Sequence, residues 1–486
     1  MTAREIVNFL TEHAGRKTVS FHMPGHKGSA IYRRYGFGEF LDNIMDCDIT
    51  EIPGADNLFQ TEGILKAAQD GYASLYGAKK SYLLINGTSG GVIAAITAAV
   101  PKGKKLIMAR NCHKSIYNAL ILGGIEPVYA YPEMVEEYGI AGEITAGEIE
   151  RLLTENPDAE AVILPSPNYY GICSDIRKIA ETVHRHGKVL IVDQAHGAHL
   201  KFFSECGYSD MPESAEEQGA DIVVNSIHKT LASFTQSAVL NLMSDRVDNY
   251  TLEDRLQMIQ STSPSYLLMA SLDINAALLA EHKTELMKEW HDALTDFYRE
   301  ALNIRGLSVI GNPFDSRVRV NLDITKINLD MSALGLSAAE LEEKLMARGI
   351  YAELTTGSIL MCMTGIGNTA EHLRRLADAL KEISGECLAG APESGKISAA
   401  SALNRVFEVR LELRPIPAER ERIPLAQGAG RVCASSIIPY PPGIPFVCPG
   451  EVLTPEVIEY IKDLRCAGEK VIGVNDKGEI TVGKNN

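Results

Sequence analysis

The chain of 486 residues carries 47 Lys and Arg against 63 Asp and Glu, a net charge of −16. That sign repels phosphate backbones and anionic lipid, which argues against nucleic acid and membrane surfaces as partners. With 45% hydrophobic and 23% charged residues, the composition excludes a disordered or fibrous chain. At about 150 residues per domain there is room for several units.

No apolar run approaches the roughly 20 residues that span a bilayer; the longest, around Val92 to Val100, is broken by Thr97. The first segment carries Glu5 and Glu12 and is not a secretory signal. The 9 cysteines are scattered and contain no CxxC, so neither a disulfide framework nor a zinc knuckle is expected, and a reducing cytoplasm fits.

Taken in chain order, residues 1–59 read as a short helix followed by two loops, FHMPGHKG (21–28) and DITEIPGADNLF (48–59). From 60 the chain alternates. Strand-like runs occur at SYLLIN (81–86), KKLIMA (104–109), PVYAYP (127–132), AVILPSP (161–167), VLIVD (189–193) and DIVVNS (221–226). Segments of helical periodicity separate them, which predicts βαβ units around a mostly parallel sheet. A long helix over 266–302 closes this large α/β unit, 60–302. A smaller α+β unit is expected over 303–385, with strands at LSVIG and RVRVNLDI. The Gly-, Ser- and Pro-rich stretch 386–401 reads as a linker. A C-terminal unit, 402–486, holds a helix, the turn-rich IIPYPPGIPFVCPGE (437–451), the helix EVIEYIKDL and a hairpin-like VIGVNDKGEITV. No internal repeat is visible.

In doubly wound sheets ligands sit beyond the carboxyl ends of the strands, so the loops there are the candidate site. Asn86-Gly87-Thr88-Ser89-Gly90-Gly91 offers flexible backbone, two hydroxyls and a helix N-terminus, the parts of a phosphate cradle. An ordinary capped turn would look the same, and the loop fits neither GxGxxG nor a P-loop. Asp193 ends an apolar strand, which delivers a carboxylate that needs a cation or several hydrogen bonds. Asp193, His196 and His199 could be metal ligands, but nothing supplies an outer shell, and no metal is expected. His22 and His26 flank a Pro-Gly turn and are not read as a zinc pair either. Lys229, in Ser226-Ile227-His228-Lys229-Thr230, follows the next strand. Cradle, acid and lysine in that order suit pyridoxal 5′-phosphate, which needs a phosphate site, an amine for its aldehyde and a carboxylate for its ring nitrogen.

The motifs FHMPGHKG, DITEIPGADNLF, NGTSGG, ARNCHKS (109–115), PSPNYYG (165–171), VDQAHGAH (192–199), SIHKT, STSPSYLLMASLD (261–273) and IIPYPPGIPFVCPGE together resemble the class-I Orn/Lys/Arg decarboxylase family. The likeness is to its short form, without an N-terminal wing domain. The resemblance implies a fold-type-I, pyridoxal-phosphate-dependent enzyme that decarboxylates a basic L-amino acid, with arginine first and lysine or ornithine next, in polyamine biosynthesis. By the same resemblance Lys229 is the Schiff-base lysine and Asp193 the partner of the pyridine nitrogen. Gly87, Thr88, Ser89, Ser226 and His228 would surround the phosphate. His113 would stack on the ring, and His196 would sit by its phenolic oxygen or by the substrate carboxylate. The family's dimer shares its active sites, so Thr262 and Ser263 are expected to serve the cofactor of a neighbour; a tetramer is the larger alternative. Family members often show Asp-Asp-Leu-His where this chain has Asp56-Asn57-Leu58-Phe59, which leaves the substrate open.

Loss of the carboxylate leaves a carbanion at Cα that needs an electron sink. Asp193 must then stay ionised, and pairing with a ring cation is expected to depress its pKa. Lys229 or His228 would return a proton to Cα. The distal cation requires a carboxylate, with Asp48, Glu51, Asp56 and Glu353 as candidates. Two other readings remain. An aminotransferase or lyase of the same fold would use an arginine such as Arg317 or Arg319 for the substrate carboxylate. A non-catalytic binding homologue would keep the fold without the cofactor.

Overall fold

The computed structural model describes residues 4–315, 321–390, 410–440, 445–466 and 470–484. Its centre is a seven-stranded sheet in the order Lys80–Leu84, Ala238–Leu242, Ile222–Asn225, Val189–Asp193, Ala159–Pro165, Lys105–Ala109, Glu126–Ala130. The six strand-like runs of the sequence all appear. The missed seventh, Ala238–Leu242, is antiparallel to both neighbours, and the rest pair in parallel. Val189–Asp193 is buried along its whole length, as a strand covered on both faces must be. Helices Gly87–Ala99, Lys114–Gly123 and Ile176–Arg185 follow the strands that precede them.

The long helix, Tyr266–Ala301, buries Leu272, Leu279, Met287, Trp290, Leu294 and Phe297, a stripe at helical spacing. It carries the four-stranded sheet Ser308–Ile310, Lys326–Asp330, Ile359–Met363, Leu354–Thr356. The strand expected at RVRVNLDI is displaced: residues 316–320 lie outside the described residues, and the paired strand begins at Lys326. What precedes it, Asp323–Thr325, is a turn held by side-chain bonds. The N-terminal segment joins this region, since Val19–Ser20 pairs with Ile350–Tyr351.

Helix Ala370–Gly390 runs five residues into the stretch expected as linker. Arg348 and Lys344 bind Glu386, and Arg348 binds Glu382, contacts that support the helix past Gly385. The rest of that stretch, and the helix expected just after 402, fall outside the described residues. The terminal hairpin is also corrected. Lys470–Ile472 pairs with Ile438–Tyr440, and Glu479–Gly483 pairs with Arg420–Pro424. The turn at Asn475–Gly478 forms, but its two arms join different sheets.

Among the described residues no helix is long and apolar enough to cross a membrane. None of their His, Cys, Asp and Glu side chains form a group of three or more that could hold a metal.

Candidate active site

Five loops at the carboxyl edge of the sheet enclose a cleft of about 420 Å³. Gly87, Thr88, Ser89, His113, Asp193, His196, Ser226, His228 and Lys229 all line it. All nine were singled out in the sequence, and the fold gathers them around one cleft.

The phosphate-cradle candidates meet across two strands. Thr88 Oγ1 and Ser226 Oγ lie 3.1 Å apart, at the first turn of the helix Gly87–Ala99, where unpaired N–H groups favour an anion. His228 donates from Nδ1 to the Ser237 carbonyl at 2.8 Å. Burial brings its pKa down to about 4, so the ring is neutral near neutral pH and its Nε2 carries a lone pair. His113 caps its own helix by accepting from the Ser115 N–H. Protein packed around the ring, with Lys229 and Lys114 adding like charge, brings its pKa down to about 4 as well.

Asp193 is 6% exposed and accepts the Ala195 N–H at 3.2 Å. Burial raises its pKa, and the nearby Lys229 ammonium opposes the rise. The expected depression belongs to pairing with a ring cation; the protein alone works the other way. Lys229 is lowered by burial, with Asp193 and Glu353 opposing and Lys326 adding to the effect. Its Nζ lies 2.9 Å from His196 Nε2, and His196 Nδ1 is buried with no protein partner. The Lys229 turn is gripped from outside by the FHMPGHKG loop: the Gly25 N–H donates to the His228 carbonyl at 2.7 Å. A Cβ at Gly25 would fall 2.5 Å from the Thr230 carbonyl carbon, so only glycine fits there.

This donor set suits pyridoxal 5′-phosphate. The buried carboxylate calls for a cation, the hydroxyl pair at a helix N-terminus suits a phosphate, and the amine is desolvated. His196 Nε2, beside the Lys229 amine, is a further polar group next to them.

Of the four carboxylates considered for the distal cation, Glu353 alone lines the cleft. Its two oxygens accept from the Met23 N–H at 2.9 Å and the Tyr169 hydroxyl at 3.0 Å. Asp48, Glu51 and Asp56 do not line it. Asp56 instead accepts the N–H groups of Asn57, Glu62, Gly63, Leu65 and Lys66. Burial works against its ionisation, yet those bonds bring its pKa down to about 2. It is a loop anchor. Thr262 and Ser263 are exposed before the long helix and do not line this chain's cleft either. Arg317 and Arg319 lie outside the described residues.

Sequence reasoning missed Tyr169, whose ring tilts against His196 at 4.7 Å between centroids. Its signal was available, because PSPNYYG follows the strand next to the one ending in Asp193. It also missed Asn111, Ile438 and Ile472. The last two come from the C-terminal region, which docks through a buried clamp. Arg110 binds both Glu451 oxygens at 3.1 Å and the carbonyls of Pro445 and Phe446. Nothing in either segment alone predicts that pairing.

The profile described as "Orn/Lys/Arg decarboxylase, major domain" matches residues 6–310, and the corresponding C-terminal domain matches 413–478. The chain is 35% identical over 480 residues to arginine decarboxylase of Bacillus subtilis, covering 96% of this chain and 94% of that one. It is 25% identical to lysine decarboxylase LdcA of Pseudomonas aeruginosa, covering 94% and 75%. The solved structure of lysine decarboxylase A from Pseudomonas aeruginosa superposes with a TM-score of 0.77 at 23% identity, over 98% of this chain and 80% of that one.

Proposed function

Because the chain belongs to the Orn/Lys/Arg decarboxylase family, we propose that it decarboxylates arginine to agmatine and CO2 with pyridoxal 5′-phosphate as cofactor. One observation carries the reading: a single cleft holds the desolvated Lys229 amine, the buried Asp193 carboxylate and the Thr88–Ser226 hydroxyl pair, together with Glu353. When bound, the cofactor supplies the electron sink that a carbanion at Cα requires.

The chain's own groups do the rest. Lys229 supplies the amine for the cofactor's aldehyde, and Asp193 keeps the ring nitrogen protonated. Thr88, Ser89, Ser226 and the helix N–H groups would hold the phosphate, with His228 beside them, and His113 would pack against the ring. His196, whose Nε2 faces the Lys229 amine, would stand beside the ring oxygen or the substrate carboxylate. Of the two candidates for returning a proton to Cα, Lys229 is favoured. His228 is neutral, and its one N–H is committed to the Ser237 carbonyl.

Glu353 takes the distal cation. Each of its oxygens already accepts one bond, so the carboxylate is fixed and a planar guanidinium can dock on it bidentately. The greater identity to arginine decarboxylases than to lysine decarboxylases supports arginine over lysine. A homodimer in the cytoplasm, with Thr262 and Ser263 facing the neighbour's cofactor, completes the reading; the exposure of both residues supports it. The test is a panel of arginine, lysine and ornithine with product amines identified by mass spectrometry. Agmatine forming fastest supports the proposal. A keto acid, or no turnover of arginine, contradicts it.

A further inference from the structure

Beneath the cleft lies a fully buried ionic network that the reaction as described does not use. Asp323 and Lys326, both 0% exposed, form an ion pair at 2.6 Å in the turn before the strand Lys326–Asp330. They belong to the small sheet's side of the molecule, yet their bonds run into the active-site loops. Lys326 Nζ donates to the main-chain carbonyl of His196 and to Thr325 Oγ1. Asp323 binds His199 Nε2 at 3.1 Å, and His199 Nδ1 shares a hydrogen bond with Thr230 Oγ1 at 3.1 Å. One arm therefore ends on His196, whose Nε2 faces the Lys229 amine. The other ends on Thr230, the neighbour of Lys229.

The turn is seated closely against the large sheet's side. The Asp323 N–H donates to the Gly171 carbonyl at 2.8 Å. A Cβ at Gly171, whose φ is +94°, would lie 2.9 Å from the Asp323 carbonyl oxygen and 3.1 Å from Lys326 Cβ. The glycine of PSPNYYG thus makes the approach possible. Burying two charges is costly, and apolar residues of similar volume usually serve a plain packing role as well or better. A pair retained at this cost, with both arms ending beside one lysine, has a second use.

We propose that Asp323 and Lys326 are positioning residues that hold His196 and Thr230 in register about Lys229. The proposal rests on Lys229 being the lysine that carries the cofactor. The charged and titratable groups facing Lys229 are Asp193, Glu353, Lys326, His196, His113 and His228, and of these only Lys326 is a buried cation opposing a positive charge at that position.

The test uses the holoenzyme and the double variant Asp323→Asn/Lys326→Met, which removes the pair without leaving a lone buried charge. The expected result is a folded protein in which borohydride still tags Lys229. Its kcat falls roughly tenfold or more while KM for arginine stays within about threefold, the pattern of a lost transition-state interaction. The pH midpoint of the cofactor's visible absorption band rises by about half a unit or more, since of the two charges removed it is the Lys326 cation, not the Asp323 carboxylate, that bears on Lys229. A folded double variant with unchanged midpoint and kcat overturns the proposal. Should it not fold, Thr230→Val decides, because it cuts the second arm isosterically: a kcat reduced about threefold with a shifted band supports the proposal, and wild-type values of both overturn it. If borohydride tags another lysine in the wild-type protein, the underlying functional reading fails instead, and the two failures are distinguished.

Discussion

At the Lys229 end of the cleft the groups stand where strands of the parallel sheet finish: Thr88, His113, Asp193 and Ser226 each follow their own strand. At the Glu353 end they come from three segments far apart in sequence, Met23, Tyr169 and Glu353. The first set is fixed by the register of one sheet. The second depends on how the N-terminal loop, a sheet loop and the small sheet meet. The groups assigned to chemistry and to substrate choice are therefore carried by different segments, although the FHMPGHKG loop touches both ends, and each set can be altered by its own substitutions.

That separation can be broken in several ways. The largest expected effect is on the scaffold that both ends share. Glu451→Gln leaves the buried Arg110 with an unpaired charge and should cost about 3–5 kcal/mol of stability, read by denaturant unfolding; a change below about 1 kcal/mol would remove the clamp from the account. Asp193→Asn should lower kcat by on the order of 10²–10³ for every basic substrate alike, and a loss confined to one substrate would blur the distinction. Glu353→Gln should weaken binding of arginine by about 2–3 kcal/mol, roughly 30- to 160-fold in kcat/KM, mostly through KM. An equal loss in kcat would place Glu353 among the reacting groups.

The smallest effect concerns Asp56. Asp56→Ala should cost about 1–2 kcal/mol, as the loss of a backbone-capping side chain does, with KM for arginine unchanged. Because its folded pKa lies below the usual value, this contribution is present above pH 4 or so and is lost as the pH falls through about 2. A raised KM in Asp56→Ala would return this loop to the substrate end.

The same contrast explains what could be read from the sequence. An apolar run ending in Asp193, or in Ser226 before Lys229, announces both the strand and its terminal group, since a doubly covered strand shows as a continuous apolar stretch. The Ala238–Leu242 strand, equally buried, was missed because Asn241 interrupts its apolar run, its amide being satisfied by Glu216 only in the fold. Asp56 drew attention as an acid in a motif loop, whereas its bonds to five N–H groups exist only once the loop is folded. The Arg110–Glu451 and Asp323–Lys326 pairs are likewise invisible in sequence. The first joins residues 341 positions apart, and in the second Asp323 falls within a run that reads as a plain strand, with Lys326 just beyond it.

The central claim is that one amine, that of Lys229, carries the cofactor opposite a ring nitrogen held by Asp193. Borohydride reduction of the holoenzyme followed by peptide mapping tests it most directly. The account predicts a single modified peptide containing Lys229 in the wild-type protein and none in Lys229→Ala; a tag on any other lysine, or no tag at all, would contradict it.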